Sequence, residues 1–300
     1  MSESLIVVPD QELFPAIHAE VYTTSGGTLY LKEPGVVMIS RPHVSLEGLR
    51  GYFEGFPEEL QFLGYLEDPT DLPPGAKLCK FAGQMCYVAC GAGRTWNKDA
   101  VRYFLNILGQ HHGSVLEHAN YSFHCYGMSR SQSHEFVRHR AGFGYSQISQ
   151  RYVDGKVLRF VLRPEYVGDE ELEQRAFRWF DQSAEEYDWR ADRLMALMAE
   201  RDAAAGVTKS KTQARKDVQQ AARSCLPNEA ETAMVITGNA RAWRHFLEMR
   251  ASEHAEPEIR RLAYKLYHCL IQVEPILFGD YEIINLPDGS RALKTEYVKV

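Results

Sequence analysis

Two histidines and three arginines fall within the nineteen residues HEFVRHRAGFGYSQISQRY (134–152), interleaved with serines and tyrosines. A metal site, an anion site and a solvated helix-turn would each use such a set. A zinc-binding His-Glu-x-x-His helix needs its histidines four apart, so that both stand on one face. His134 and His139 are five apart, which on a helix separates them by roughly 140°. They cannot ligate one ion without unwinding the helix, so no metal is expected.

Arg138 and Arg140 cannot be deprotonated, and they sit just before a turn carrying Gly142 and Gly144. Glycines let backbone N–H groups approach a ligand closely, a combination suited to phosphate or pyrophosphate. If a strand covers residues 145–153, then Gln147, Ser149 and Arg151 project to one face by the period of two. An amide, a hydroxyl and a guanidinium in a row can hold a planar polar base and an anion together. The alternative is an arginine-rich helix in solvent, bonded to some of the chain's carboxylates.

Two further stretches concentrate polar chemistry. GQHHGSVLEHANYSF (109–123) reads on its own as a histidine-rich loop or a zinc site, but zinc would need ligands converging from elsewhere and nothing in the spacing demands it. GNARAWRHFLEMRASEHAEPEIRRLA (238–263) carries Arg241 and His245 up one helix face, with Arg250 near the helix end. Taken alone, these charges read as helix surface.

The elements that must hold these side chains follow from periodicity. VVMIS (36–40) reads as a strand, PEELQFLGYLED (57–68) as a helix, DPTDLPPGAK (68–77) as a connector and KFAGQMCYVA (80–89) as a helix. Asn97 is a good N-cap for a helix bearing Val101, Phe104, Leu105 and Leu108. NYSFHCYGM (120–128) alternates Tyr121, Phe123 and Cys125 against Asn120, Ser122 and His124, a strand with one buried face. Ser131 is expected to cap a short helix through Arg140. A long amphipathic helix is predicted over 169–200, with Leu172, Ala176, Trp179, Phe180 and Tyr187 on its stripe. Helices near 210–224, 240–251 and 257–273, a strand at 232–238 and an extended tail after about 279 complete the reading. Irregular mixing of strands and long helices predicts an α+β fold, a single large domain with a mixed or antiparallel sheet flanked by helices.

At 300 residues and net charge −6, the chain can bury a full core and does not look like a nucleic-acid coat. The opening MSESLIVVPDQEL lacks the pattern of a secretory signal, and no apolar run approaches the roughly 20 residues that span a bilayer. Cys79, Cys86, Cys90, Cys125, Cys225 and Cys269 form no Cys-x-x-Cys pair. They read as reduced and mostly buried, which points to a cytoplasmic setting.

Together the three polar stretches resemble the flavin-dependent thymidylate synthase family, over about residues 79–280 and in the same order. RHRAGFGYSQISQRY is similar to the signature Arg-His-Arg followed by about seven residues and Ser. Gln110 to His118 matches the GHxSVLEH-type segment, and Asn239-Ala240-Arg241 with Phe246 to Arg250 and His254 to Ile259 matches the closing segment. The resemblance implies reductive C5-methylation of a uridylate (UMP or dUMP), with methylenetetrahydrofolate as carbon donor and hydride from reduced FAD recharged by NADPH. It also implies a homotetramer with active sites at subunit interfaces, acting on no nucleic acid and no membrane. Residues 1–76 would then be an N-terminal extension, 77–280 the methylating core and 281–300 a C-terminal tail.

By motif position, Ser114, Arg138, His139, Arg140, Gln147, Asn239, Arg241 and His245 would hold FAD. The nucleotide would meet Glu135, Arg138, Gln147, Ile148, Ser149, Gln150, Arg151, Arg223 and Arg250. Uracil C5 becomes nucleophilic only if negative charge accumulates on the ring, which makes Arg250 the catalytic candidate. Cys225 lies in Ser-Cys-Leu-Pro, not the Pro-Cys-His context of the other thymidylate synthase fold, so no cysteine nucleophile is expected. Ser149 would orient rather than attack, because no base adjoins it.

The chain departs from the pattern at three places. Eight residues separate Arg140 from Ser149, Gly142-Phe143-Gly144 replaces a serine, and Glu135 stands where glutamine is usual. Glutamate exchanges an amide donor for an acceptor, which suits an additional sugar hydroxyl such as that of a ribonucleotide. In this respect the chain resembles the uridylate C5-methylase of polyoxin-type nucleoside-antibiotic biosynthesis. The competing readings are a catalytically silent flavin- or nucleotide-binding homologue and a flavin oxidase that spends NADPH on oxygen.

Overall fold

A computed structural model describes residues 14–67, 70–91, 100–153 and 157–300. In chain order the strands among these residues are β1 (Ala16–Ile17), β2 (Val21–Thr23), β3 (Leu29–Leu31), β4 (Gly35–Ser40), β5 (Asn120–Ser129), β6 (Phe143–Gln147), β7 (Phe160–Val161), β8 (Glu231–Asn239), β9 (Glu282–Asn285) and β10 (Arg291–Lys294). The α-helices are α1 (Arg50–Phe53), α2 (Pro74–Met85), α3 (Ala100–Gly109), α4 (Arg130–Phe136), α5 (Glu170–Ala204), α6 (Lys211–Ala222), α7 (Ala240–Arg250), α8 (Pro257–Val273) and α9 (Pro275–Phe278). The fold is α+β, as the irregular mixing predicts.

A five-stranded antiparallel sheet ordered β1-β4-β5-β8-β6 carries the core. Alternation decides its faces. Tyr121, Phe123 and Cys125 point inward, where they meet Trp243, Phe246 and Leu247 of α7 and Ile259, Leu262 and Leu266 of α8. The intervening residues line an open face. Val37, His124, Val235 and Ser146 stand opposite one another in register across it, with Ile39 and Val235 exposed. A smaller sheet, β2-β3-β7, contains the parallel pair β3–β7 and receives α5 through Tyr30, Phe160, Ala176 and Phe180.

Several expectations need correction. In place of one helix over 57–68, the described residues form two 3-10 turns, Glu58–Leu60 and Phe62–Glu67, because Gln61 between them adopts φ +54. The helix expected at 80–89 starts at Pro74, whose missing N–H costs nothing in a first turn, and the Glu274 carboxylate accepts from the Gly75 and Ala76 N–H groups. The Asn97 cap lies outside the described residues. On α5, Ala176, Phe180 and Tyr187 are buried, whereas Leu172 and Trp179 are exposed. The residues after 279 are not an extended tail: β9 and β10 form an antiparallel hairpin, and the Leu293 N–H donates to the Ala251 carbonyl at 2.7 Å.

Two corrections bear on the site. Ser129, not Ser131, caps α4, its hydroxyl accepting from the Gln132 N–H at 3.0 Å, and the helix ends at Phe136 rather than Arg140. The strand predicted over 145–153 runs Phe143–Gln147. Beyond it, the edge of β8 is taken by residues 159–161: the Glu231 N–H donates to the Arg159 carbonyl and the Val161 N–H to the Glu229 carbonyl. Displaced from the sheet, residues 149–152 turn, with Tyr152 N–H on the Ser149 carbonyl and Arg151 N–H on the Ser149 hydroxyl. Gln147, Ser149 and Arg151 therefore do not form a row.

Candidate active site

Helix α4 and the turn after it bring Glu135 and His139 against the C-terminal end of α7. Arg250 bonds both: its Nη1 donates to Glu135 Oε2 at 2.8 Å and its Nε to His139 Nε2 at 3.0 Å. The Tyr145 hydroxyl donates to the His139 carbonyl, fixing the turn, and Phe246 packs edge-on against the imidazole. His245 lies beside it, with ring centroids 5.7 Å apart. Burial, followed by the Arg250 and His245 charges, pushes His139 down to about 4. The ring is neutral, and because Nε2 accepts from Arg250, its proton sits on Nδ1.

Behind Glu135 lies an acidic layer at the start of α8. Glu135 adjoins Glu256, and Arg163 bridges Glu256 and Glu258. Glu258 also accepts from the Ser129 N–H and hydroxyl, each at 2.8 Å. Burial, with the Glu256 hydrogen bond and charge adding and Arg250 opposing, pushes Glu135 up to about 7. Glu256 is held below the usual carboxylate range by that hydrogen bond and, against burial, by Arg163. Sequence reasoning missed Glu256 as a site residue, although it lies within the HAEPEI segment quoted above.

A second group gathers near the β5 end of α4. The Gln147 amide donates to Thr232 Oγ1 at 3.1 Å, and Arg151 reaches Gln220, one helical turn before Arg223. Arg130, also unforeseen, is buried enough to lower its basicity, with the nearby Arg223 charge adding to the effect. Neither Arg130 nor Arg223 has an ion-pair partner among the described residues. Ile148 and Gln150 instead line a cleft of about 430 Å³ with Leu29, Tyr187 and Leu226.

A third group occupies the opposite end of the sheet. Asn239 caps α7 by accepting from the Ala242 N–H at 2.8 Å, and Arg241 bonds Glu117 and the Val300 carbonyl. Ser114 is exposed nearby on the 3-10 turn Gly113–Glu117. Gly142 adopts φ +75, and a Cβ there would lie 2.9 Å from Asn239 Nδ2 and from Ala242 Cβ. Arg138 and Arg140 are exposed, without ion-pair partners among the described residues. Gln147 pairs with Met234 and Phe143 with Gly238, so the second and third groups are separated by about 13 Å of strand.

An α+β scaffold with a half-buried guanidinium between neutral imidazole and carboxyl, and with arginines lacking ion-pair partners among the described residues at both sheet ends, has the chemistry to take anionic ligands. Comparison with known proteins narrows that class. The family described as Thymidylate synthase complementing protein matches residues 70–276. Flavin-dependent thymidylate synthases from Mycobacterium sp. (strain KMS) and Mycobacterium avium (strain 104) are each 44% identical, over 76% and 74% of this chain and 89% and 85% of theirs. A crystal structure of the UMP/dUMP methylase PolB from Streptomyces cacaoi, bound with 5-Br dUMP, shares the fold with TM-score 0.52 and 18% identity, covering 83% of this chain and 94% of that one. This chain belongs to the flavin-dependent thymidylate synthase family, and it is a methyltransferase.

Proposed function

We propose that the chain methylates C5 of a uridylate, UMP and/or dUMP, as a cytoplasmic homotetramer with active sites at subunit interfaces. The observation that carries this reading is Arg250, held between Glu135 and His139 at the end of α7. A half-buried cation fixed by two short bonds stabilises charge on a uracil ring without reorganising. Arg130, Arg151 and Arg223 supply a phosphate-sized anion site.

FAD suits the third group. Arg138 and Arg140 are cations without ion-pair partners among the described residues, and glycine at 142 lets their turn pack directly against Asn239 and Ala242, where a Cβ would collide. Ser114, Asn239, Arg241 and His245 complete the cradle, and His139, neutral, can pack against a heterocycle without repelling the arginines around it. When bound, reduced FAD supplies hydride, NADPH recharges it and methylenetetrahydrofolate supplies the one-carbon unit. The chain's own residues position the nucleotide and hold the ring charge.

Cys225 does not serve as a nucleophile in this reading: its thiol donates to the Ala222 carbonyl at 3.2 Å and burial raises its pKa. The open face of the main sheet, with Val235 and Ile39 exposed, supports assembly with further copies. In that arrangement the separated groups of one protomer are completed by groups of another.

Anaerobic incubation with FAD, NADPH, methylenetetrahydrofolate and either dUMP or UMP tests the proposal, with nucleotides resolved by chromatography. Thymidylate or 5-methyl-UMP is expected. Neither product from flavin-loaded protein would overturn it in favour of a silent binding homologue, and NADPH consumed only with oxygen would indicate an oxidase.

A further inference from the structure

Four elements converge on Glu135. Arg250 reaches it from α7, Glu256 and Glu258 from the start of α8, His139 from the turn after α4, and Arg163 stands behind Glu256 from the segment following β7. His139 is neutral and contributes no charge. Arg163 and Arg250 thus supply two positive charges to a half-buried layer holding three carboxyls, Glu135, Glu256 and Glu258. Glu165 also bonds Arg163, but it is 43% exposed and solvated. Three ionised carboxylates against two guanidiniums leave an unbalanced charge, and a single proton removes it. Burial raises Glu258 as well, but its donors oppose a proton there. Glu258 is filled by donors: Ser129 N–H, Ser129 Oγ–H and Arg163. Glu135 and Glu256, by contrast, each take one arginine, Arg250 and Arg163, and adjoin each other, so that a bond between the two carboxyls requires a proton.

We propose that Glu135 and Glu256 share one proton, and that this pair decides how much of the Arg250 charge is available to a bound nucleotide. With the proton in place, Arg250 faces a neutral carboxyl and its charge is directed to the ligand. Without it, Arg250 is held in an ion pair with Glu135, and a ligand that places negative charge beside it is opposed. Nucleotide binding above neutral pH therefore takes up a proton, because the ligand favours the protonated pair. Glu256 is a positioning residue that touches Arg250 through Glu135. This deepens the uridylate reading and rests on it only for the identity of the ligand.

Calorimetry of dUMP binding to flavin-loaded protein, in buffers of different ionisation enthalpy at pH 8, reads the proton directly. Uptake approaching one proton is expected, with the Kd rising up to tenfold per pH unit above that. E256Q, whose amide donates to Glu135 and leaves it ionised, should abolish the uptake and flatten the pH dependence, as should E135Q. E165Q, which alters the same arginine from outside the pair, should keep both. Equal uptake in wild type and E256Q, or dUMP binding with no uptake, overturns the proposal. An infrared pH titration without nucleotide separates this from the functional reading. With Glu274, which also stays protonated toward neutral pH, removed by E274Q, a protonated-carboxyl band that persists to near-neutral pH and vanishes on adding either E135Q or E256Q is expected even if no nucleotide binds. Absence of that band sinks the shared proton, whatever the enzyme's substrate.

Discussion

At the scale of single residues, the site is a guanidinium whose neighbours have been stripped of opposing charge. Burial keeps His139 unprotonated, and Glu135 is raised to about 7, so below neutrality Arg250 is the dominant charge in its surroundings. R250A should lower kcat by about 100-fold or more while the flavin spectrum is retained, since the lost stabilisation acts on ring charge alone. Single-turnover kinetics on flavin-loaded protein check this, and an unchanged rate would remove Arg250 from catalysis. Glu135 is also the candidate discriminator of the sugar: E135Q should move the preference toward dUMP, read as the ratio of kcat/KM for the two nucleotides. An unchanged ratio would assign that choice elsewhere.

The elements explain why this constellation was only partly legible. Helices α7 and α8 are written locally, by an Asn cap, a proline in the first turn and apolar residues at helical spacing. The β5 alternation likewise states which face is inward, so Arg250, His139 and Glu135 could be nominated before their contacts were known. The end of β6 was not legible, because a competing segment, 159–161, occupies the edge of β8 from elsewhere in the chain. No period-two pattern records such competition. The Ser129 cap was missed for a related reason, since its hydroxyl also donates to Glu258, 129 residues away. Arg130 and Glu256 gain meaning only from the arginine and glutamate that the fold sets beside them. At this scale, N239A should cost about 1 kcal/mol through loss of the α7 cap, seen as a lowered Tm. It should also weaken flavin retention, and loss of neither would separate Asn239 from the site.

For the whole molecule, a carboxylate far from the arginine cluster ties distant parts of the chain. Glu274, at the end of α8, accepts from Gly75 and Ala76 at the start of α2, and burial pushes it up to about 7. Its folded pKa lies above the unfolded value, so the folded state binds a proton that the unfolded chain releases between about 4.5 and 7. The stability linked to it is present below that window and is lost as pH rises through 7, by about 3 kcal/mol at most. Denaturant unfolding from pH 5 to 8 should show a shallower loss of stability in E274Q than in wild type, the remainder coming from Glu135, and equal slopes would remove Glu274 from this role. The open sheet face makes a further prediction: light scattering should report a tetramer, and V235E, which puts a charge on that face, should shift it to smaller species.

The bond from Leu293 to the Ala251 carbonyl has a consequence for how the protein is made. A ribosome delivers the sheet, both long helices and Arg250 well before the residues that clamp the position next to Arg250. A chain stopped before codon 291 would therefore lack the bond that holds the Ala251 carbonyl, while the Arg250 side chain would keep its bonds to Glu135 and His139. The turn that follows the arginine is thus shaped by a hairpin on the far side of α8, and it reaches its final geometry only after that helix has been made.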